Sequence, residues 1–537
     1  MGPGVPGNDN TPAGPEAALA DAGAALRENR DASAEMIVRR VLAQNPNNAD
    51  ALKMLAEIAI RANCNADAAD ILERCLTIAP DFFAAHYRYA TVLFYLNKPD
   101  RALKETDRLL QDDPQNFECL SLRAIILGRI GDYDQALACH ARLIREYPDR
   151  SGVWLNYASD LKTAGRQTES IKVYRDAIAR FPHLVEAYWS LSNFKTFGFE
   201  PDEIDTMRAE LARPEISDRD RCLLHFALGK AGEDAKAFEP SFEHYRAANL
   251  LRRKAVPYNA DETTAFFAKL RETFTPELLS RHANTGCSAP DPIFVVGLPR
   301  SGSTLLEQIL ASHSAIEATM ELQNIPAIAE RFDGPYPGVI RDLDPDVFEA
   351  LGEEFMEETR ASRPLGKAFF IDKMPENFRH IGLIRLMLPN AKIIDARRHP
   401  LACGMSIYRQ DFEGGYDFAN DLTEIGQYYR DYVHLMAHYD AIFPGQIHRV
   451  IYERMVAEPE AEIRRLLAYL GQPFEEACLR FHETNRAVHT GSSEQVRRPL
   501  FTDAVDQWRN YEPWLGPLKS ALGPVLEAYP SVPAFTF

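Results

Sequence analysis

Arg300 stands inside a short loop, Gly297-Leu-Pro-Arg-Ser-Gly302, that is followed at once by two hydroxyl residues, Ser303 and Thr304. A guanidinium, two hydroxyls and a row of backbone N–H groups at the start of a helix suit an oxyanion, because unpaired donors and the helix dipole act on the same charge. Four further sets could do chemistry: Glu321, Asp372-Lys373-Met374-Pro375, Arg397-Arg398-His399-Pro400 and Tyr452-Glu453-Arg454. A carboxylate among cations can deprotonate a hydroxyl while the cations stabilise charge on a departing oxygen. One glycine loop alone is also an ordinary turn with an ion-paired Arg. Convergence of these sets on one place is what would set the loop apart from such a turn.

The elements that would bring these residues together can be read from the apolar runs. Ile293 to Val296 suits a buried parallel strand, and Leu305, Leu306, Ile309 and Leu310 give the next segment one apolar helical face. Ala315–Met320, Ala368–Ile371, Ala391–Asp395 and His448–Ile451 are four more apolar runs, each ending at one of the reactive sets. Strands separated by helices predict a parallel sheet, which binds ligands beyond the carboxyl ends of its strands. The expected fold of residues 291–537 is therefore an α/β, P-loop-like domain. The spacing Gly297-x4-Gly302 is that of a Walker A loop, but Ser303 occupies the lysine position. A P-loop kinase or nucleotidase needs that lysine on its phosphates. Here the positive charge sits at Arg300 instead, although Ile393-Ile394-Asp395 could pass for a Walker B strand.

The first half of the chain is periodic. Pro46, Pro80, Pro114, Pro148 and Pro182 follow one another at 34-residue intervals, and Ala56, Ala90, Ala124, Ala158 and Ser192 hold one small position in the same register. A second small position carries Ala68, Ala102, Ala136 and Ser170, while larger residues such as Leu52, Leu72, Tyr89 and Leu127 fill the layer between paired helices. This pattern resembles the tetratricopeptide repeat and implies an all-α superhelix over residues 16–280, with a concave face. That face would hold a peptide or protein partner, or pack on the catalytic domain. Residues 1–15 read as a disordered tail, and Arg281 to Pro290 as a linker.

With 537 residues, the chain exceeds one core. A net charge of −18 argues against a nucleic-acid binder, so any anion site is a local positive island. No apolar run is long enough to span a membrane, and no leader is visible. The cysteines show no metal-ligand spacing; Cys64, Cys75, Cys119 and Cys139 read as small core residues, and a reduced cytoplasm is the expected setting. His434 and His438 lie one helical turn apart without an acidic partner, so no metal is expected. Trp508, Tyr511 and Trp514 read as core.

Residues 290–537 resemble the PAPS-dependent sulfotransferases, and within them the tyrosylprotein branch; PAPS is 3′-phosphoadenosine-5′-phosphosulfate. Pro299-Arg300-Ser301-Gly302-Ser303-Thr304 matches the 5′-phosphosulfate loop, and Arg398 with Ser406, eight residues on, matches the 3′-phosphate motif. Asp372-Lys373-x-Pro375 resembles the branch's lysine motif, Glu321 has the spacing of its catalytic glutamate, and Tyr452 stands where the family has a nucleotide-contacting tyrosine. Arg497 and Arg498, with Ser492 before them, resemble a late basic segment that closes over the 3′-phosphate. The resemblance implies PAPS as co-substrate, with Glu321 as general base and Arg300 and Lys373 on the leaving group. It implies a hydroxyl acceptor, the tyrosine of a peptide or protein presented by the repeats; the alternative is a glycan or small metabolite. Two departures bear on the acceptor. Gln323 and Ala327 replace the basic residues that follow the glutamate in peptide-sulfating enzymes, and no membrane anchor is present. An oligomer is compatible with the sequence.

Overall fold

The computed structural model describes residues 14–96, 98–283, 285–484, 486, 488, 494–500 and 503–534. They fall into two compact units, Met1–Val173 and Tyr174–Phe537.

The first unit is a run of helical hairpins: Pro15–Arg27 with Asp31–Gln44, Ala49–Arg61 with Asn65–Ile78, Phe83–Tyr95 with Pro99–Asp112, and Phe117–Ile130 with Tyr133–Glu146, followed by Ser151–Thr163. Ala56, Ala68, Ala90, Ala102, Ala124, Ala136 and Ala158 are all completely buried, so the small positions are where helices meet. Side chains of Asn48, Asn116 and Asp132 cap helix starts by accepting backbone N–H bonds of 2.9–3.1 Å. A tie the proline period alone did not reveal recurs with it: Arg74, Arg108 and Arg142 each donate to the carbonyl of Pro46, Pro80 and Pro114, respectively. Cys75 and Cys119 are buried, as expected; Cys64 is exposed, because it falls in the turn before a helix. Most of the expected tail lies outside the described residues, and the first helix already begins at Pro15.

The second unit contains the sheet: β1 (Pro292–Gly297), β2 (Ile316–Ala318), β3 (Phe369–Asp372), β4 (Lys392–Arg397) and β5 (Ile447–Ile451), in the order β2-β3-β1-β4-β5, every pair parallel. All six residues of β1 are buried because the strand is central and covered on both faces. The pleat divides them. Phe294 and Val296 join one apolar core, Ile293 and Val295 the other, which is built from the Ser303–Ala311 and Pro459–Leu470 helices.

The larger core differs from expectation. It includes Phe226, Phe242, Tyr245, Phe267, Phe274 and Leu278, from helices Asp218–Asp234, Phe238–Ala255, Ala260–Thr273 and Pro276–Arg281 and the turns between them. These helices, read as the end of the repeat domain, share the sheet's core, so the compact units part at Val173 rather than at the 281–290 segment. Gly286 and Cys287 within that segment are held closely. Gly286, at φ 91°, approaches the Leu386 carbonyl so closely that a Cβ would stand 2.2 Å from its oxygen, and the Cys287 N–H donates to Met387 at 2.8 Å. Small polar residues read as a tether; here glycine serves close backbone contact.

Candidate functional site

β1 ends in the anion loop, and two of its glycines are required by geometry. Gly297 adopts φ 139°, and a Cβ there would lie 2.4 Å from the Ala396 carbonyl oxygen of β4. Gly302, at φ 99°, faces Tyr452, whose ring would stand 2.7 Å from an added Cβ. Between them Arg300 is held left-handed at φ 66°, an uncommon conformation for a side-chain-bearing residue. The helix beginning at Ser303 then starts directly from the loop, so that its N-terminal end borders it.

β4 supplies the second half. Beyond it Arg398 donates to the Arg300 carbonyl at 3.2 Å and lies over the Tyr452 ring, 4.8 Å from its centre. Its own carbonyl accepts from the Tyr429 hydroxyl at 2.6 Å, which fixes the turn. The Pro400–Tyr408 helix carries buried Ser406, whose Oγ accepts from Arg300 Nε at 3.2 Å. Arg300, Ser303, Thr304, Arg398, Ser406 and Tyr452 all line one cavity of about 350 Å³, a size that suits a small-molecule ligand. Burial and the nearby Arg398 and Arg409 push the Arg300 guanidinium down to about 10, so the cavity is short of negative charge. Arg498 also reaches it.

Other expected residues lie elsewhere. Pro299 and Ser301 are buried beneath the loop: Pro299 gives its carbonyl to Cys403 Sγ at 3.4 Å, and no partner for Ser301 Oγ is present among the described residues. Arg497 does not line the cavity but donates to the Arg486 carbonyl at 3.0 Å. Ser492 lies outside the described residues. Lys373, almost fully buried, forms an ion pair with the half-exposed carboxylate of Glu321 at the ends of β3 and β2; neither lines the cavity. Beside them Asp372 is wholly buried, and burial raises its carboxyl well above the usual range. His438 donates to the Phe274 carbonyl at 2.8 Å and so ties two helices. Trp508 and Tyr511 are core, the former stacked on His399 at 5.1 Å.

Several cavity residues were not read from the sequence: Lys195 from a turn and Lys230 and Glu233 from a helix ahead of the sheet, and Arg409, Glu494 and Gln507. Arg409 had a visible signal, one helical turn beyond Ser406. For Lys195, Lys230 and Glu233 no local motif exists.

Comparison with known proteins finds two kinds of match along the chain. Residues 292–476 match the sulfotransferase family, and residues 13–82, 65–126 and 121–185 match tetratricopeptide repeats. A protein of Aquifex aeolicus (strain VF5), described only as uncharacterized, is 32% identical over 395 residues, 70% of this chain and 51% of that protein. The chain thus spans about half the length of that relative. Protein-tyrosine sulfotransferase 1 of Danio rerio is 24% identical over 274 residues, 45% of this chain and 75% of that one. The sulfotransferase domain of the Synechococcus PCC 7002 olefin synthase is 21% identical with a TM-score of 0.33, covering 42% of this chain and 89% of that chain.

Proposed function

We propose that this chain, which carries a sulfotransferase-family domain together with tetratricopeptide repeats, moves a sulfuryl group from PAPS to a hydroxyl, the tyrosine of a peptide or protein held by its repeats. The observation that carries the reading is the joining of Arg300, Arg398 and Ser406 by hydrogen bonds in the lining of one cavity. The donor set fits the nucleotide: guanidinium groups and hydroxyls are what phosphate and sulfate oxygens need, and two separate sources of positive charge suit a molecule with phosphate at both 3′ and 5′ ends.

PAPS supplies a sulfuryl group on a phosphate leaving group. Glu321 takes the proton of the acceptor hydroxyl as its oxygen bonds to sulfur. The bond from sulfur to the bridging oxygen breaks, and its electron pair stays on the phosphate. Arg300, Ser303 and Thr304 hold that phosphate, and Lys373 adds a cation beside the base. Arg398 and Ser406 hold the 3′-phosphate, which separates this donor from ATP.

Sulfation of a tyrosine-bearing peptide, followed by release of adenosine 3′,5′-bisphosphate (PAP), tests the reading. Glu321→Gln is expected to lower kcat by about 10²–10⁴-fold while leaving PAP affinity nearly unchanged. Transfer to glycans or small phenols but to no peptide would move the acceptor class; no PAP release with any hydroxyl would overturn the reaction.

A further inference from the structure

The wall of the cavity opposite the anion loop comes from helices that precede the sheet. After the Val185–Ser192 helix the chain turns through residues 193–200, and this turn is held from two sides. Gln410 donates to the Asn193 side-chain oxygen at 3.1 Å, just beyond the helix that carries Ser406. The backbone N–H groups of Lys195 and Thr196 donate to the two carboxylate oxygens of buried Glu494, the latter at 2.9 Å. Glu494 begins the same segment that brings Arg498 to the cavity. So the turn is clasped to both phosphate-motif surroundings, and the side chain of Lys195 is left open to the cavity.

The cations around it are of two kinds. Arg409 pairs with Glu233 and Lys230 with Asp234, each at 2.5 Å. Lys195 forms no ion pair among the described residues, and the charges around it are Arg300, Arg409, Lys230, the carboxylate of Glu233, that of Glu494 at its own backbone N–H, and that of Asp234 on Lys230. An ammonium held by its backbone among other cations, with the nearby carboxylates already bonded to Arg409, Lys230 and the turn's own N–H groups, is suited to an anion.

We propose that Lys195 is an anion-binding residue of the donor cavity, taking a phosphate or sulfate oxyanion of the nucleotide together with Arg300; the assignment rests on the donor reading above. It makes the helical segment ahead of the sheet part of the nucleotide site. A pH signature follows. Desolvation within the crowded cavity, with Arg300 and Arg409, brings the Lys195 ammonium down to about 7, and an arriving anion raises it again. Binding therefore takes up a proton above neutral pH, and affinity falls as pH rises from about 7 to about 9. The nucleotide's own phosphates are already ionised there, their second pKa lying near ~6. Arg300, near 10, titrates above this window.

The test uses the full chain: wild type, Lys195→Met, Lys195→Arg and, as reference, Arg398→Ala, titrated calorimetrically with PAP, AMP and 3′-AMP. Lys195→Met is expected to weaken PAP about 10-fold at pH ~7 and much less at pH ~9, while Lys195→Arg keeps affinity at both. Wild type takes up protons on binding, read as a buffer-dependent enthalpy near pH ~8; Lys195→Met does not. A loss confined to AMP assigns the 5′ group to Lys195, and one confined to 3′-AMP the 3′ group. If Arg398→Ala weakens PAP but Lys195→Met does not, the Lys195 assignment falls and the donor reading stands. If wild type does not bind PAP, both fall. Wild-type affinity that is flat between the two pH values, without proton uptake, overturns the assignment whether or not the methionine variant folds.

Discussion

Two sets of helices in this chain bury different things. Those from Ala49 to Glu146 bury alanines at fixed positions and pack on their own neighbours, with a core of Leu52, Leu72, Leu93 and Ile126. Those from Asp218 to Arg281 bury aromatics, Phe226, Phe242, Tyr245, Phe267 and Phe274, in the core that supports β1 and β4. The first set repeats because each hairpin solves the same packing problem. The second set does not, because its helices meet different neighbours: Ala260–Thr273 packs on the Leu422–Ile442 helix, and Phe238–Ala255 on the Asp417–Asn420 and Gln507–Trp514 turns. It also reaches the cavity, through Lys230 and Glu233. Helices that look like the tail of a repeat array therefore serve the site.

Phe274→Ala should break that arrangement most. Its ring is fully buried and packs where a Cβ on Gly382 would lie within 2.3 Å of it, so truncation leaves a cavity costing about 3–5 kcal/mol. Urea unfolding should show the sheet unit lost early while the repeat unit keeps its own transition; a single unchanged transition would contradict the shared core.

Glu233→Gln comes next. It leaves Arg409 in a buried site without its carboxylate partner, at a cost of about 3 kcal/mol, and thermal melting should register it in the sheet unit alone. Arg409 and Lys195 hold the Glu233 carboxyl below its usual value despite burial. Its contribution to stability is therefore present above the ordinary glutamate pKa of about 4.3 and lost as pH falls through the lower folded value. The variant should unfold in acid with a shallower pH dependence than wild type.

Smaller effects belong to the repeats. Ala124→Leu overfills a position with no exposed surface and should cost about 1–3 kcal/mol. Asn116→Ala removes the 3.1 Å cap of the Phe117–Ile130 helix and should cost about 1 kcal/mol. Chemical denaturation measures both. Neither should alter PAP affinity, and a change in it would blur the distinction between the two sets.

The sequence made one half of this legible and hid part of the other. The 34-residue spacing named the repeats, and the apolar runs named the strands of the parallel sheet. The anion loop, Arg398, Ser406 and Tyr452 were readable because one strand–turn–helix unit puts their chemistry into local spacing. Lys195, Lys230 and Glu233 were not, since about 100 residues separate Lys195 from Arg300 and only tertiary packing joins them. The 281–290 segment misled for a related reason: small residues mark a free tether and a tight backbone contact alike.

The central claim is a nucleotide site that recognises phosphate at both ends, and calorimetric titration with PAP in the absence of magnesium tests it most directly. The account predicts that wild type binds PAP, that ADP binds poorly, and that Arg398→Ala weakens PAP by about 100-fold or more. Failure to bind PAP, with binding of ATP and magnesium instead, would contradict it and assign the loop to a P-loop kinase.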